Sequence, residues 1–230
     1  MTIFRYALLR GVRSSFSLVV NCIVPLILIL IRPFWAEGAA VGGFGFLAFV
    51  VMGGSFLMSQ SILSDKIDGS IIRILAAPVT MRRYLAENLL SCMVPLSAQM
   101  ALVAILGFIL YDWSLTLSFA VFMCYTVLAL ASVAMCFAWH CLFKSKENSN
   151  SGFIGALTLM AMLGGLFFPI EVLPGFLEYV GVVFPVYWAM QGLRFVTDTG
   201  IMSGEYWLAI AAMALFAIAY LLYGSKRRII

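Results

Sequence analysis

Long apolar runs separated by short charged clusters set the pattern of this chain. Five uncharged runs stand out: Phe16 to Ile31, extendable through Arg32 to Trp35; Gly38 to Leu63; Asn88 to Tyr111; Trp113 to Phe143; and Tyr206 to Ser225. A sixth region, Ser151 to Phe195, is apolar but interrupted, and its first part, Gly152 to Phe168, is long enough to cross a bilayer with slight tilt or thinning. A hydrocarbon core of roughly 30 Å takes about 20 apolar residues as a helix. The pattern therefore predicts an all-α integral membrane protein with six transmembrane helices. Pro25 in the first run is tolerable there, because neighbouring groups re-satisfy the carbonyl it frees.

Three segments break the pattern. Ahead of the first run, Ile3, Phe4, Ala7, Leu8, Leu9 and Val12 against Arg5, Arg10 and Arg13 predict an amphipathic interfacial helix over residues 2–14. Its apolar face is irregular, so a frayed basic terminus is the alternative. In residues 64–83, Ile67, Ile71, Ile74 and Leu75 share one helical face, and Lys66, Ser70 and Arg73 share another. That predicts an amphipathic helix parallel to the membrane, which Pro78 ends by disfavouring the α conformation at Ala77. Thr80 is placed to cap the next helix, and Arg82 and Arg83 to anchor it among headgroups. A mere surface anchor fits this pattern equally well.

The third segment, residues 169–195, carries Pro169, Pro174 and Pro185, three of the seven prolines. Tyr179 to Leu193 as a seventh span would reach only about 22 Å and would move Lys226, Arg227 and Arg228 across the membrane. The expectation is instead an outer re-entrant helical hairpin, whose irregular backbone must be covered by protein or face a water-filled cavity.

Composition agrees. Of 230 residues, 64% are hydrophobic and 10% charged, against about 25% charged in ordinary globular domains. The first run follows an arginine-bearing segment as a signal peptide would, but no small-residue cleavage site precedes Arg32, so it reads as a retained span. Short cytoplasmic loops retain Lys and Arg. Six spans with both termini cytoplasmic place twelve of the fourteen basic residues inside, leaving only Arg32 and Arg194 outside. The expectation is a single multi-pass permease domain over residues 1–230 in the cell membrane.

The five cysteines (Cys22, Cys92, Cys124, Cys136, Cys141) are scattered through apolar runs without CxxC spacing. His140 beside Cys141 lacks the further ligands of a metal site, so no metal is expected. No P-loop and no protease or hydrolase motif occurs. Glu87 and His140 fall near the inner ends of their spans, and the deep polar groups Asn21, Ser55, Ser59, Gln60, Ser97 and Gln99 are neutral. Proton- and ion-coupled carriers place ionisable groups at depth, so energy for transport would come from another chain. Gly38, Gly42, Gly43, Gly45, Gly53, Gly54, Gly164 and Gly165 favour close helix contacts, within one chain or between two.

The order Asp65-Lys66-x-x-Gly69-Ser70-x-x-Arg73-x-Leu75-Ala76-Ala77-Pro78-Val79 resembles the first cytoplasmic loop of type 2 ATP-binding-cassette (ABC) exporter permeases. There an acidic-basic pair, Gly-Thr and a Leu-x-x-Pro run form the coupling helix. Residues 165–175 and 184–194 look like that family's outer re-entrant hairpin, and the resemblance covers essentially the whole chain. Asp65 stands where Glu is usual and Ser70 where Thr is usual, substitutions that keep the chemistry.

The resemblance implies a permease that pairs with a second copy or close relative and binds a separate ATP-binding-cassette ATPase. It holds no cofactor itself and is no enzyme by itself, since ATP and Mg belong to the ATPase. It assigns ATPase coupling to Asp65, Lys66, Gly69, Ser70, Arg73, Leu75 and Pro78. It assigns an extracellular gate to Pro169, Glu171, Pro174, Gly175, Pro185, Gln191 and Arg194. Phe49, Met52, Phe56 and Phe167 are candidates to line the path of an apolar or amphiphilic substrate. Membrane lipid is an expected partner and nucleic acid is not. An energy-independent channel or flippase and a membrane scaffold are the rival readings.

Overall fold

In lipid a backbone amide finds no water, so each segment satisfies its own hydrogen bonds by coiling. The computed structural model describes residues 2–13, 15–35, 40–71, 80–167 and 175–226, and among them there is no strand. The helices are α1 (Thr2–Arg13), α2 (Ser15–Leu30), α3 (Ala40–Ile67), α4 (Met81–Tyr111), α5 (Leu115–His140), α6 (Lys146–Leu163), α7 (Gly175–Gly181), α8 (Pro185–Thr199) and α9 (Gly204–Lys226), with a 3-10 turn at Arg32–Trp35. Among the described residues, four stretches are long and apolar enough to cross a membrane: Gly42–Ile67, Met81–Tyr111, Leu115–His140 and Gly204–Ser225.

The ends of these helices follow local chemistry. The Thr80 hydroxyl accepts from the Arg83 amide at 3.4 Å to start α4, Ser114 accepts from Leu117 at 3.1 Å to start α5, and Ser145 accepts from Asn148 at 3.3 Å to start α6. Pro185 opens α8, where its missing N–H costs nothing, and Gly200 closes that helix at φ 72°.

α4 begins at Met81, behind the Thr80 cap that the sequence offers and ahead of the apolar run at Asn88, and Arg83 and Glu87 pair at 2.8 Å along one face of that first stretch. One element differs from the sequence pattern: the amphipathic face through Ile67 and Ile71 is interrupted. Residues 64–67 are the last turn of α3, and Asp68 and Gly69 form a turn before helical backbone resumes at Ser70 and Ile71. Gly69 sits at φ 67°, the left-handed region a side chain disfavours.

The hub is α5, which packs against α3, α4, α8 and α9. Its face of Ala120, Cys124, Ala129, Ser132 and Cys136 is fully buried, and such small side chains let neighbouring backbones approach. Tyr125 donates to the Phe44 carbonyl at 2.7 Å, and Tyr206 of α9 donates to Ala120 at 2.8 Å. Glycines close the other contacts within the chain. A Cβ on Gly45 would stand 1.9 Å from the Leu166 carbonyl oxygen, and one on Gly54 2.0 Å from Asn21 Oδ1. The opposite faces of α4 and α9 expose Leu102, Ile105, Phe108, Leu215 and Ile218, a surface suited to lipid and not to water.

Candidate functional site

Polar side chains concentrate where the C-terminal ends of α3 and α5 meet the N-terminal ends of α4 and α6. Asp65, in the last turn of α3, is 9% exposed. Its Oδ1 accepts from Arg10 Nη1 at 2.5 Å and its Oδ2 from the Tyr84 hydroxyl at 2.7 Å. Arg10 also donates through Nη2 to the Ser61 carbonyl at 2.8 Å. The other end of α1 is tied as well: the Phe4 amide donates to Glu87 Oε2 at 3.0 Å, and Glu87 Oε1 accepts from Arg83 Nε at 2.8 Å. A carboxylate beside an early amide of a helix completes a donor that the helix itself leaves open. Thus α1 lies across α3 and α4 with a fastening at each end, over a 250 Å³ cavity lined by Ile3, Tyr6, Ala7, Arg10, Asp65 and Tyr84.

Lys66 points the other way. Its Nζ donates to the carbonyls of His140 at 3.2 Å, Cys141 at 2.9 Å and Phe143 at 2.9 Å. An ammonium has three donors and no acceptor, and here all three meet the carbonyls that end α5, at the negative end of that helix dipole. His140 extends the connection. Its Nε2 lies 2.9 Å from Ser59 Oγ and its Nδ1 3.2 Å from Ser149 Oγ, so one buried ring joins α3, α5 and α6. Gln60 donates to Asn150 Oδ1 at 3.2 Å, and Phe56 stacks on Phe153 at 3.9 Å between ring centres. Adjacent residues Asp65 and Lys66 therefore fasten the end of α3 to α1, α4 and α5, while the residues just before them fasten it to α6.

Of the expected coupling residues, Asp65 and Lys66 face their own chain, and Gly69 and Ser70 lie half-buried at the turn that follows. Among the described residues, a Cβ on Gly69 would meet nothing within 4 Å. Arg73, Leu75 and Pro78 lie outside the described residues. Among the gate residues, Pro169, Glu171 and Pro174 lie outside them too. Gly175 begins α7 and Pro185 begins α8. Gln191, which donates to the Tyr187 hydroxyl at 3.2 Å, and Arg194 share a 510 Å³ cavity with Trp188, Asp198 and Glu205 between α8 and α9.

The four path candidates separate. Phe49 and Phe56 line a 370 Å³ groove with Val20 and Val24 of α2 and Ile154 and Leu157 of α6. Met52 is fully buried in the core. Phe167 packs on Phe46 at 5.3 Å and Phe49 at 5.6 Å. Arg10, Tyr84 and Ser149 were not singled out as site residues in the sequence, and Glu87 and His140 only by their position at span ends. Their partners lie far away along the chain, 55 residues apart for Arg10 and Asp65, beyond any helical wheel.

A bundle of this kind, with long apolar helices and a dense polar network at one end, defines a multi-pass helical membrane protein. The chain matches the model of the ABC-2 family transporter proteins over residues 35–226 and belongs to that family, which makes it the permease component of an ABC transporter. No curated protein matches it.

Proposed function

We propose that the chain is the permease subunit of an ABC exporter, moving an apolar or amphiphilic substrate outward at the expense of ATP that a separate cytoplasmic ATPase hydrolyses with Mg. The observation that carries this reading is the turn at Gly69: a glycine-made corner with none of the described residues within 4 Å of a Cβ there, on a span whose C-terminal end is fastened to four other helices. A force applied by the ATPase to residues 68–78 would reach α3 through the backbone, α1 and α4 through Asp65, and α5 through Lys66. In this reading Gly69, Ser70, Arg73, Leu75 and Pro78 meet the ATPase, and Asp65 and Lys66 pass the displacement on.

The six spans are α2, α3, α4, α5, α6 and α9, with both termini in the cytoplasm and α1 on the inner surface. The charge distribution supports this threading. The segment 169–195, including α7 and α8, forms the outer re-entrant hairpin and gate, with Gln191 and Arg194 facing its cavity. A second copy, related by a two-fold axis as most homo-oligomers are, completes the path, with Phe49 and Phe56 on the groove between α2, α3 and α6. Met52, enclosed in the core, supports that wall from behind.

Co-expression with ABC ATPases of the same genome, one at a time, and a screen of amphiphilic compounds for stimulated ATP hydrolysis tests the reading. Stimulation that disappears in Gly69→Trp at matched membrane levels is expected. Transport that proceeds without any ATPase would replace the exporter by an energy-independent channel or flippase.

A further inference from the structure

A second apolar groove, about 510 Å³, runs between α5, α6 and α9 on the side of α6 away from α2. Its walls include Met135 and Trp139 of α5, Ala156 and Met160 of α6, and Tyr220 and Tyr223 of α9. α5 contributes its last turns and α9 its C-terminal portion, α6 contributes its middle, and Leu142 of the loop 141–145 also lines the groove, which therefore reaches that end of the bundle. Trp139 and Tyr223 stand at its mouth, and amphipathic rings of this type settle at the headgroup level of a bilayer.

The charge at the mouth is net positive, two lysines against the single carboxylate of Glu147. Lys144 and Lys146 flank the loop directly beyond Leu142, another lining residue, and both are exposed. Neither makes an ion pair among the described residues, whereas nearby Lys66 spends its donors on the carbonyls ending α5. An apolar slot in the hydrocarbon with two exposed ammonium groups at its headgroup end matches one kind of molecule.

We propose that this groove is a binding site for an anionic phospholipid of the cytoplasmic leaflet, its acyl chain lying between α5, α6 and α9 and its phosphate held by Lys144 and Lys146. The cytoplasmic leaflet is the one rich in anionic lipid, and a basic residue near its surface gains about 1 kcal/mol from it. The site rests on the threading proposed above, which puts the loop 141–145 in the cytoplasm. A bound lipid here would brace α6 and α9 against the hub helix, on a face separate from the groove of Phe49 and Phe56.

Quenching of Trp139 measures occupancy without reference to transport. The full chain is reconstituted in phosphatidylcholine vesicles that carry a small share of either phosphatidylglycerol or phosphatidylcholine with brominated acyl chains. The difference in quenching between wild type and Trp139→Phe isolates the groove from the other four tryptophans. Brominated phosphatidylglycerol is expected to quench at about a tenfold lower mole fraction than brominated phosphatidylcholine, ~1.4 kcal/mol in affinity. Lys144→Glu with Lys146→Glu, two exposed positions that leave the fold intact, should abolish that preference and retain the weaker quenching common to both lipids. Equal quenching by the two lipids in wild type, or a preference that survives the double change, overturns the proposal. So does absence of quenching by either lipid, the result if a second copy of the chain covers the groove. Impermeant labelling of a cysteine at Asn148 fails separately if the threading, and not the site, is wrong.

Discussion

At the scale of single residues, Lys66 and Gly69 make opposite demands. Lys66 is held by three carbonyls at the end of α5, so its loss removes charge-assisted bonds worth about 1.5 to 3 kcal/mol each when fully buried and less at this half-buried position. Lys66→Met is expected to lower the melting midpoint in detergent and to cut ATPase stimulation about tenfold with ATPase binding kept. Arg82→Met, at an exposed position, serves as the control that changes neither. Stimulation equal to wild type in Lys66→Met would remove it from the transmission path. Gly69 is set by conformation instead of contacts: φ 67° disfavours any Cβ by roughly 1 to 2 kcal/mol, least for Asn. Because none of the described residues lies within 4 Å of a Cβ there, Gly69→Asn should fold and couple nearly as wild type. Gly69→Trp should fold about as well as Gly69→Ala yet fail to retain the ATPase in a pull-down. A tryptophan variant that retains it would show that no partner approaches this corner.

At the scale of elements, the apolar runs were legible because hydrocarbon thickness imposes a length, and that constraint acts on each segment separately. The boundaries divide. The start of α4 was legible through its cap, Thr80, although the apolar run begins only at Asn88. The amphipathic wheel through residue 67 continued across a corner, since hydrophobic spacing does not register a single left-handed glycine. What the pattern could not contain is the assembly of the polar end. Arg10 reads as an interfacial charge until Asp65 is beside it, and the contact of Gly45 with Leu166 spans more than a hundred positions. That contact makes a firm expectation. Gly45→Ala forces a Cβ against a backbone carbonyl that has no rotamer to adopt, and should destabilise by about 2 to 4 kcal/mol. Gly155→Ala, at an open helical position, should instead stabilise by about 0.5 to 1 kcal/mol through the unfolded state. Melting midpoints of the two variants in one detergent separate them, and a neutral Gly45→Ala would mean that α3 and the turn at 164–167 can slide apart freely.

At the scale of the whole molecule, the question is which way the bundle faces, because the same helices turned over would offer the Gly69 corner to the wrong compartment. The placement of basic residues does bear on it: Lys144 and Lys146 lie at the same end as Lys66, Arg82 and Arg83, and Arg10 reaches that end through Asp65. Asp112, at the far end of α4, and Asp198, at the far end of α8, are acidic and stand away from that cluster. If insertion retains the basic end in the cytoplasm, single cysteines at Asn148 and Ser225 should be protected from an impermeant maleimide in intact cells and become labelled after permeabilisation. Cysteines at Asp112 and Asp198 should label from outside, all four in a background lacking the native five. The position at 225 discriminates most sharply, since a seventh crossing by the segment 179–193 would carry it to the outer surface while leaving Asn148 inside. External labelling at 225 with protection at 148 would therefore convert α8 from a re-entrant helix into a span, and external labelling at both would invert the bundle and separate the Gly69 corner from any cytoplasmic ATPase.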